Sequence, residues 1–232
     1  MDPAPRLIPN AFPMTHHPMQ GIIFDMDGVL TDSEPLICSA AMSMFAEKGL
    51  QVLPADFLPF VGTGENRYLG GVAEKYGLAM DIDLAKKRTY EIYLAMVPTK
   101  LRAFPGAVEF VNACRSEGWR IAVASSADWI KIEANLNTIG LPPRLWDAII
   151  TAEDVVHKKP APDIFLAAIL KLGLPAARCV VIEDAPNGIQ AARAAGVRCV
   201  AVAQSFGADR LFEADLIRPS IAALTLDDLR QP

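Results

Sequence analysis

The chain has 232 residues, 52% of them hydrophobic and 21% charged, with 22 Lys and Arg against 27 Asp and Glu and a formal net charge of −5. That much apolar side chain can bury a sizeable core, which excludes a largely disordered chain, and the length allows one large domain or one domain carrying an insert. The longest uninterrupted apolar run, Ile164 to Leu170, is far short of the roughly 20 residues of a membrane-spanning helix, and no basic excess is present to neutralise a nucleic-acid backbone. The composition points to a small-molecule partner, with neither nucleic acid nor membrane; a monomer or weak homodimer is the expected assembly.

Residues 1–20 hold five prolines, Pro3, Pro5, Pro9, Pro13 and Pro18, show no apolar periodicity, and read as a flexible leader. They lack both the apolar core of a secretory signal and the Arg/Ser-rich, acid-poor pattern of a transit peptide, so the cytoplasm is the expected location. Beyond them, five short apolar runs stand out: Ile22-Ile23-Phe24, Ile121-Ala122-Val123, Ala148-Ile149-Ile150, Cys179-Val180-Val181-Ile182 and Cys199-Val200-Ala201-Val202. Continuous apolar character, rather than alternation, predicts strands covered on both faces. Segments that open on proline and close on glycine, from Pro105 to Gly118, Pro162 to Gly173 and Pro186 to Gly196, predict helices between most of them. Strand and helix alternate, which predicts a doubly wound, parallel α/β sheet. Cys38, Cys114, Cys179 and Cys199 are far apart and embedded in apolar stretches, as buried thiols in a reducing compartment are.

The rhythm breaks between the first strand and the next, near Ile121. Ser33 is placed to cap a helix, Pro35 falls in its first turn, and Leu36, Ile37, Ala40, Ala41, Met44 and Phe45 form one apolar stripe before Gly49. Further helical patterns cover about 65–76 and 81–96, with no strand among them. The expected organisation is a leader of 1–20, an α/β core of 21–33 and 104–232, and a helical cap of 34–103 seated above the end of the first strand, where ligands bind in such sheets.

Three of the predicted strands run directly into polar groups: Asp25-Met26-Asp27-Gly28, Ser125-Ser126 and Glu183-Asp184. Parallel strands bring all three to the carboxyl edge of the sheet. Each alone reads equally well as a turn, a helix cap or a solvated loop; their joint occurrence is the signal. Four carboxylates in one crevice repel one another unless a positive group is bound there, and Mg²⁺, which accepts a few carboxylates and leaves room for water and phosphate, is the economical answer. Lys159, on the proline-stiffened loop Lys158-Lys159-Pro160-Ala161-Pro162-Asp163, is suited to a phosphoryl group, whereas Lys158 reads as a surface lysine.

The segments from Phe24 to Glu34, Ala124 to Ser126, Lys159 to Phe165 and Val181 to Gly188 together resemble the four ordered motifs of the haloacid dehalogenase superfamily, in its beta-phosphoglucomutase-like phosphatase branch. The likeness extends over about 21–203 and implies a Rossmann-like core with an inserted helical cap. It implies Asp25 as the nucleophile that forms an aspartyl-phosphate, and Asp27 as the acid that protonates the leaving alcohol and then activates water. It implies Mg²⁺ held by Asp25, the Asp27 carbonyl, Glu183 and Asp184, with Ser125, Ser126, neighbouring backbone N–H groups and Lys159 around the phosphoryl oxygens. Asp27 favours phosphate chemistry, because the superfamily's dehalogenases lack the second carboxylate. Asp32 and Asn187 read as supporting or capping residues, and Asp163 as a group that positions the lysine loop.

For the cap, the loop from Phe60 to Arg67 is the expected substrate contact, through Thr63, Gly64, Glu65 and Arg67, with Arg67 reaching a distal phosphate or a sugar hydroxyl. The stretch from Asp56 to Ala73 is similar to the cap of the dehalogenase-like domain in plant suppressor-of-quenching proteins. Where many mutases and sugar phosphatases of the branch carry a histidine after Asp-Ser-Glu-Pro-Leu, this chain has Ile37; His16, His17 and His157 are no substitute. The expected function is a Mg²⁺-dependent phosphatase acting on a small phosphorylated metabolite, a sugar phosphate above others. A sugar phosphomutase is the alternative enzyme. A catalytically silent binding protein and a phospho-signalling receiver domain are alternatives of another class; the receiver is disfavoured by the large helical insert.

Overall fold

In the computed structural model, the structure describes residues 21–230; the expected leader, with His16 and His17, lies outside the described residues. Six strands form one parallel sheet in the order β3-β2-β1-β4-β5-β6: β1 Gly21–Phe24, β2 Arg120–Ala124, β3 Ala148–Ile150, β4 Cys179–Glu183, β5 Arg198–Val202 and β6 Leu216–Arg218. Successive strand residues point to opposite faces. Ile22, Phe24, Ile121, Val123, Val180 and Ile182 therefore pack on one side under α4 (Ala107–Ser116) and α5 (Trp129–Thr138). Ile23, Ala122, Val181 and Cys199 pack on the other under α6 (Asp163–Leu172) and α7 (Pro186–Ala194). Both faces are covered, which is why these strands carry continuous apolar runs. A short α8 (Leu226–Arg230) closes the described chain.

Between β1 and α4 the chain is helical: α1 Glu34–Glu47, α2 Glu65–Lys75 and α3 Ile82–Lys100. These helices bury a cluster of their own around Phe45, Phe57, Tyr68 and Tyr93, with Phe57 stacked on Tyr68 at 4.8 Å. Two local features differ from the sequence expectation. Helix α3 runs one turn beyond Met96, because Pro98 enters in the last turn, where losing one N–H costs little and Leu101 N–H still reaches Val97 O at 3.1 Å. Ser33 holds the N-cap position of α1, but its hydroxyl does not cap the helix; it donates instead to Asp27 Oδ1. Helix α5 and strand β6 carry no proline-to-glycine punctuation and no long apolar run, so they were absent from the expected elements.

Candidate active site

Strand register positions the polar groups. Phe24 pairs with Val123 on one side and with Ile182 on the other, so the following residues leave the sheet at one level. The Asp25 N–H still donates to Ile182 O (2.9 Å), the Ser125 N–H to Ile150 O (3.0 Å), and Glu183 is the last residue of β4. The strand order reverses between β1 and β4, and the crevice that such a reversal opens is where α/β sheets bind ligands.

Lys159 enters this crevice from the loop before α6. Its Nζ lies 2.5 Å from Asp25 Oδ1, 2.6 Å from Glu183 Oε1 and 3.4 Å from Ala124 O, and the residue is 7% exposed. Burial lowers an ammonium, but here the Asp25 and Glu183 carboxylates outweigh it and hold Lys159 above its ordinary range. The second Glu183 oxygen accepts the Asp184 and Ala185 N–H groups at 2.8 and 3.0 Å. Position 188 must be glycine for this, since a Cβ there would stand 1.7 Å from Glu183 Oε1. Burial pushes the Asp25 carboxyl up to about 7, with Lys159 opposing and Glu183 adding. Burial, then Glu183 and Asp25, push Asp184 well above the carboxylate range, against a hydrogen bond from the Ser205 hydroxyl.

Asp27 faces the other way, toward the helical insert. The Ser33 hydroxyl donates to one oxygen, and Lys131 Nζ to the other at 2.8 Å. Lys131, on α5, is 2% exposed and also lies 3.3 Å from Glu65 Oε1 on α2. Burial would lower its ammonium, but Asp27 and Glu65 together hold it well above its usual value. Sequence reading missed Lys131. The signal was a polar pair one turn apart, Lys131 and Asn135, on a helix whose Ile132 and Leu136 face the sheet core; both polar residues turn toward the insert, and Tyr93 donates to Asn135 Oδ1 at 2.8 Å.

The crevice is lined by Asp25, Asp27, Ser125, Ser126, Lys159, Glu183 and Asp184, all singled out from the sequence. Ser125 Oγ accepts the Ala127 N–H at 3.2 Å, which leaves the hydroxyl proton free for an oxyanion. Ser126 Oγ is buried with no partner among the described residues. Of the four expected substrate contacts on the insert, Gly64 and Glu65 line the crevice and two do not. Thr63 turns its hydroxyl to Phe60 O at 2.7 Å and faces an outer groove. Arg67 bonds Glu74 at 2.8 Å at the surface, its guanidinium 4.9 Å from the Phe60 ring centre. Residues 65 and 67 are two apart on α2 and so point to different helix faces; with Glu65 inward, Arg67 is carried out. Glu34, Ile37, Phe60, Val61, Tyr68, Lys131 and Asn187 also line it. Burial pushes Glu34 up to about 7, with Lys131 opposing and Asp27 and Glu65 adding. Asn187 Nδ2 donates to Gly62 O at 2.8 Å, tying α7 to the insert loop. Asp163 holds His157 at 2.9 Å beside the lysine loop, and Asp32 is exposed.

The donor set fits a Mg²⁺ ion of the kind that completes its shell with water and phosphate. Among the described residues no three His, Cys, Asp or Glu side chains form an all-protein cage. Instead, two buried carboxylates, Asp25 and Asp184, are held above their ordinary range by burial and by neighbouring carboxylates, Glu183 first among them, against the pull of Lys159. Asp184 Oδ2 would be 1.9 Å from a Cβ at position 28, so it lies directly against the turn after Asp27. One or two carboxylates with backbone oxygen, water and phosphate are what Mg²⁺ uses. Glu183, with both oxygens engaged by Lys159 and backbone N–H groups, is placed to act on such an ion through water or through Lys159.

An acidic crevice at the reversal point of a doubly wound parallel sheet, covered by helices inserted after the first strand, defines an α/β protein of the capped hydrolase type. The family model of haloacid dehalogenase-like hydrolases matches residues 19–196, and the chain belongs to that family. It is 47% identical over 216 residues to the chloroplastic protein SUPPRESSOR OF QUENCHING 1 of Arabidopsis thaliana, covering 91% of this chain but 20% of that protein, so the chain spans about a fifth of the plant relative's length. It is 30% identical to hexitol phosphatase A of Escherichia coli, over 89% of this chain and 94% of that one. A crystal structure of a CbbY variant from Rhodobacter sphaeroides in complex with xylulose 1,5-bisphosphate superposes with a TM-score of 0.80 at 26% identity, covering 89% and 96% of the two chains.

Proposed function

We propose that this chain is a Mg²⁺-dependent phosphatase that hydrolyses a small phosphorylated metabolite, a sugar phosphate above others, through an aspartyl-phosphate on Asp25. The observation that carries the reading is the pairing of Asp25 with the Lys159 ammonium at 2.5 Å at the strand end, with Asp27 two residues on held separately between Ser33 and Lys131. In the first step an Asp25 oxygen attacks phosphorus, the bond from phosphorus to the leaving oxygen breaks, and Asp27 gives that oxygen a proton. In the second, water attacks the same phosphorus, Asp27 takes the water's proton, and the Asp25–phosphorus bond breaks to release phosphate. Both Asp27 oxygens are engaged, so one of its bonds to Ser33 or Lys131 yields when it meets the substrate. Ser125, Ser126 and Lys159 supply donors and positive charge to the equatorial oxygens. Mg²⁺, held by Asp25, Asp184 and the Asp27 carbonyl, would neutralise the transferring phosphoryl group. The similarity to a hexitol phosphatase supports a sugar-type leaving group. Ile37, apolar and lining the crevice, weighs against a mutase that must rebind and turn a phosphorylated intermediate.

Among the described residues no helix is long and apolar enough to cross a membrane. Three of the four free cysteines are buried, which fits a reducing compartment, the cytoplasm in this reading. The test is phosphate release from a panel of sugar phosphates with and without a chelator. Asp25→Asn should abolish it while circular dichroism stays unchanged; near wild-type turnover in that variant refutes the mechanism, and isomerised sugar phosphate without free phosphate favours the mutase.

A further inference from the structure

The leaving-group side of the crevice has a charge pattern of its own. Around Asp27 it is walled by Glu34 and Ile37 of α1, by Phe60 and Val61, and by Glu65 and Tyr68 of α2. Two lysines line the crevice, and each is already paired: Lys159 with Asp25 and Glu183, Lys131 with Asp27 and Glu65. Arg67, the nearest cation along α2, is turned out to Glu74. Among the described residues Glu34 has no ion-pair or hydrogen-bond partner, and Asp27 and Glu65 already add to the charge around it. Three carboxylates thus share one ammonium where the leaving group must lie. Above the value of about 7 to which burial pushes Glu34, a group arriving there meets surplus negative charge; it also meets unused acceptor oxygens and, from Ile37, Phe60 and Val61, apolar walls.

We infer that this crevice takes the monophosphate of an uncharged or cationic alcohol rich in hydrogen-bond donors, a polyol or amino-polyol, and turns away esters that carry a second phosphate or a carboxylate. Hydroxyl or ammonium donors satisfy Glu34 and the free lone pairs of Glu65, and the carbon skeleton lies on the apolar wall. A second phosphate would be buried beside two carboxylates with no free cation to meet it, a like-charge juxtaposition that discriminates strongly between ligands. The inference rests on the phosphatase reading and sharpens its substrate.

The experiment compares kcat/KM for phosphate release, with Mg²⁺ present, from a hexitol monophosphate, an aminohexose monophosphate, a sugar bisphosphate and phosphoglycolate, with an aryl phosphate as the generic substrate. The first two should exceed the bisphosphate and phosphoglycolate by at least about tenfold, the factor that one unfavourable contact of about 1.4 kcal/mol supplies. In an assay above about pH 8, where Glu34 is ionised although burial pushes it up to about 7, Glu34→Gln should narrow that gap at least about threefold, through loss of one negative charge; a ratio of rates on one preparation does not depend on how much of the variant is folded. A bisphosphate or phosphoglycolate handled as well as the polyol monophosphate overturns the inference and leaves the phosphatase reading standing, and an unchanged ratio in Glu34→Gln overturns the assignment of Glu34. No release from any substrate, the aryl phosphate included, overturns the phosphatase reading and this inference with it.

Discussion

Replacing Asp25 with asparagine should stabilise the metal-free protein at pH 8 even as it destroys turnover. Burial pushes the Asp25 carboxyl from 3.8 to about 7. Between those values the folded state binds a proton that the unfolded chain has released, so stability falls as pH rises from about 4 and levels off above about 7. At 1.36 kcal/mol per pH unit the difference between 3.8 and about 7 amounts to about 4 kcal/mol. Asparagine keeps the shape, removes the charge, and still offers Lys159 an acceptor oxygen. The value of about 7 already includes the opposing pull of Lys159, and asparagine stands in for the protonated carboxyl, so the gain at pH 8 is at most about 4 kcal/mol, shrinking toward zero below pH 4. Urea denaturation in a chelating buffer at pH 5 and pH 8 measures it. Saturating Mg²⁺ should erase the pH slope of the wild type, because the bound ion stabilises the carboxylate form. A variant less stable than wild type at pH 8, or one with the same pH slope, would refute the reasoning that burial raises the Asp25 carboxyl despite Lys159.

Other substitutions probe the rest of the crevice. Asp184→Asn should raise the Mg²⁺ concentration needed for half-maximal activity by at least the roughly 10- to 100-fold that even outer partners of a metal contribute; an unchanged requirement removes Asp184 from the ion's neighbourhood. Lys131→Met strands Asp27 and Glu65 as buried carboxylates 16% and 9% exposed and should cost about 3 kcal/mol in urea denaturation. Its kcat should fall about 10- to 100-fold, because Asp27 loses the bond that orients it; unchanged kcat refutes that role. Gly28→Ala places a Cβ 1.9 Å from Asp184 Oδ2 at a φ of +82° and should lower stability by at least about 1 to 3 kcal/mol, together with Mg²⁺ affinity. A melting temperature within 1 °C of wild type would contradict the close approach.

What could be read in advance divides along a physical line. The sheet was legible because strands buried on both faces must be apolar throughout, and the runs at Ile22, Ile121, Ala148, Cys179 and Cys199 meet that demand without help from context. The crevice carboxylates were legible because the backbone delivers them: Asp25, Asp27, Glu183 and Asp184 lie at or within three residues of a strand end, so knowing that the strands are parallel is enough to bring them together. Lys131 and Glu34 could not be read in this way. Both sit within helices, and which face a helix turns toward a crevice depends on packing against elements distant in sequence. Arg67 shows the same limit from the other side. A cation beside a glycine-rich loop suggests a ligand contact, but two residues of helical phase carry it to solvent. Residue type alone makes Ser33 a helix cap, and only the fold reveals that Asp27 competes for its hydroxyl.

Asp27 is the point at which insert and core become inseparable. One of its oxygens is held by Ser33, the residue where the chain leaves the core to begin α1, and the other by Lys131, which is bonded in turn to Glu65 of α2. The seat of the insert is fixed on the same helix: Lys86 of α3 pairs with Asp128 at 2.8 Å, and Tyr93 with Asn135. Any motion that lifts α2 and α3 from α5 therefore loosens Lys131 and with it Asp27, whereas Asp25, held by Lys159 and the β1–β4 ladder, stays in place. The proposed nucleophile, Asp25, belongs to the sheet and the proposed proton donor, Asp27, to the junction with the insert, so in that reading seating the insert completes a site whose other half is already built.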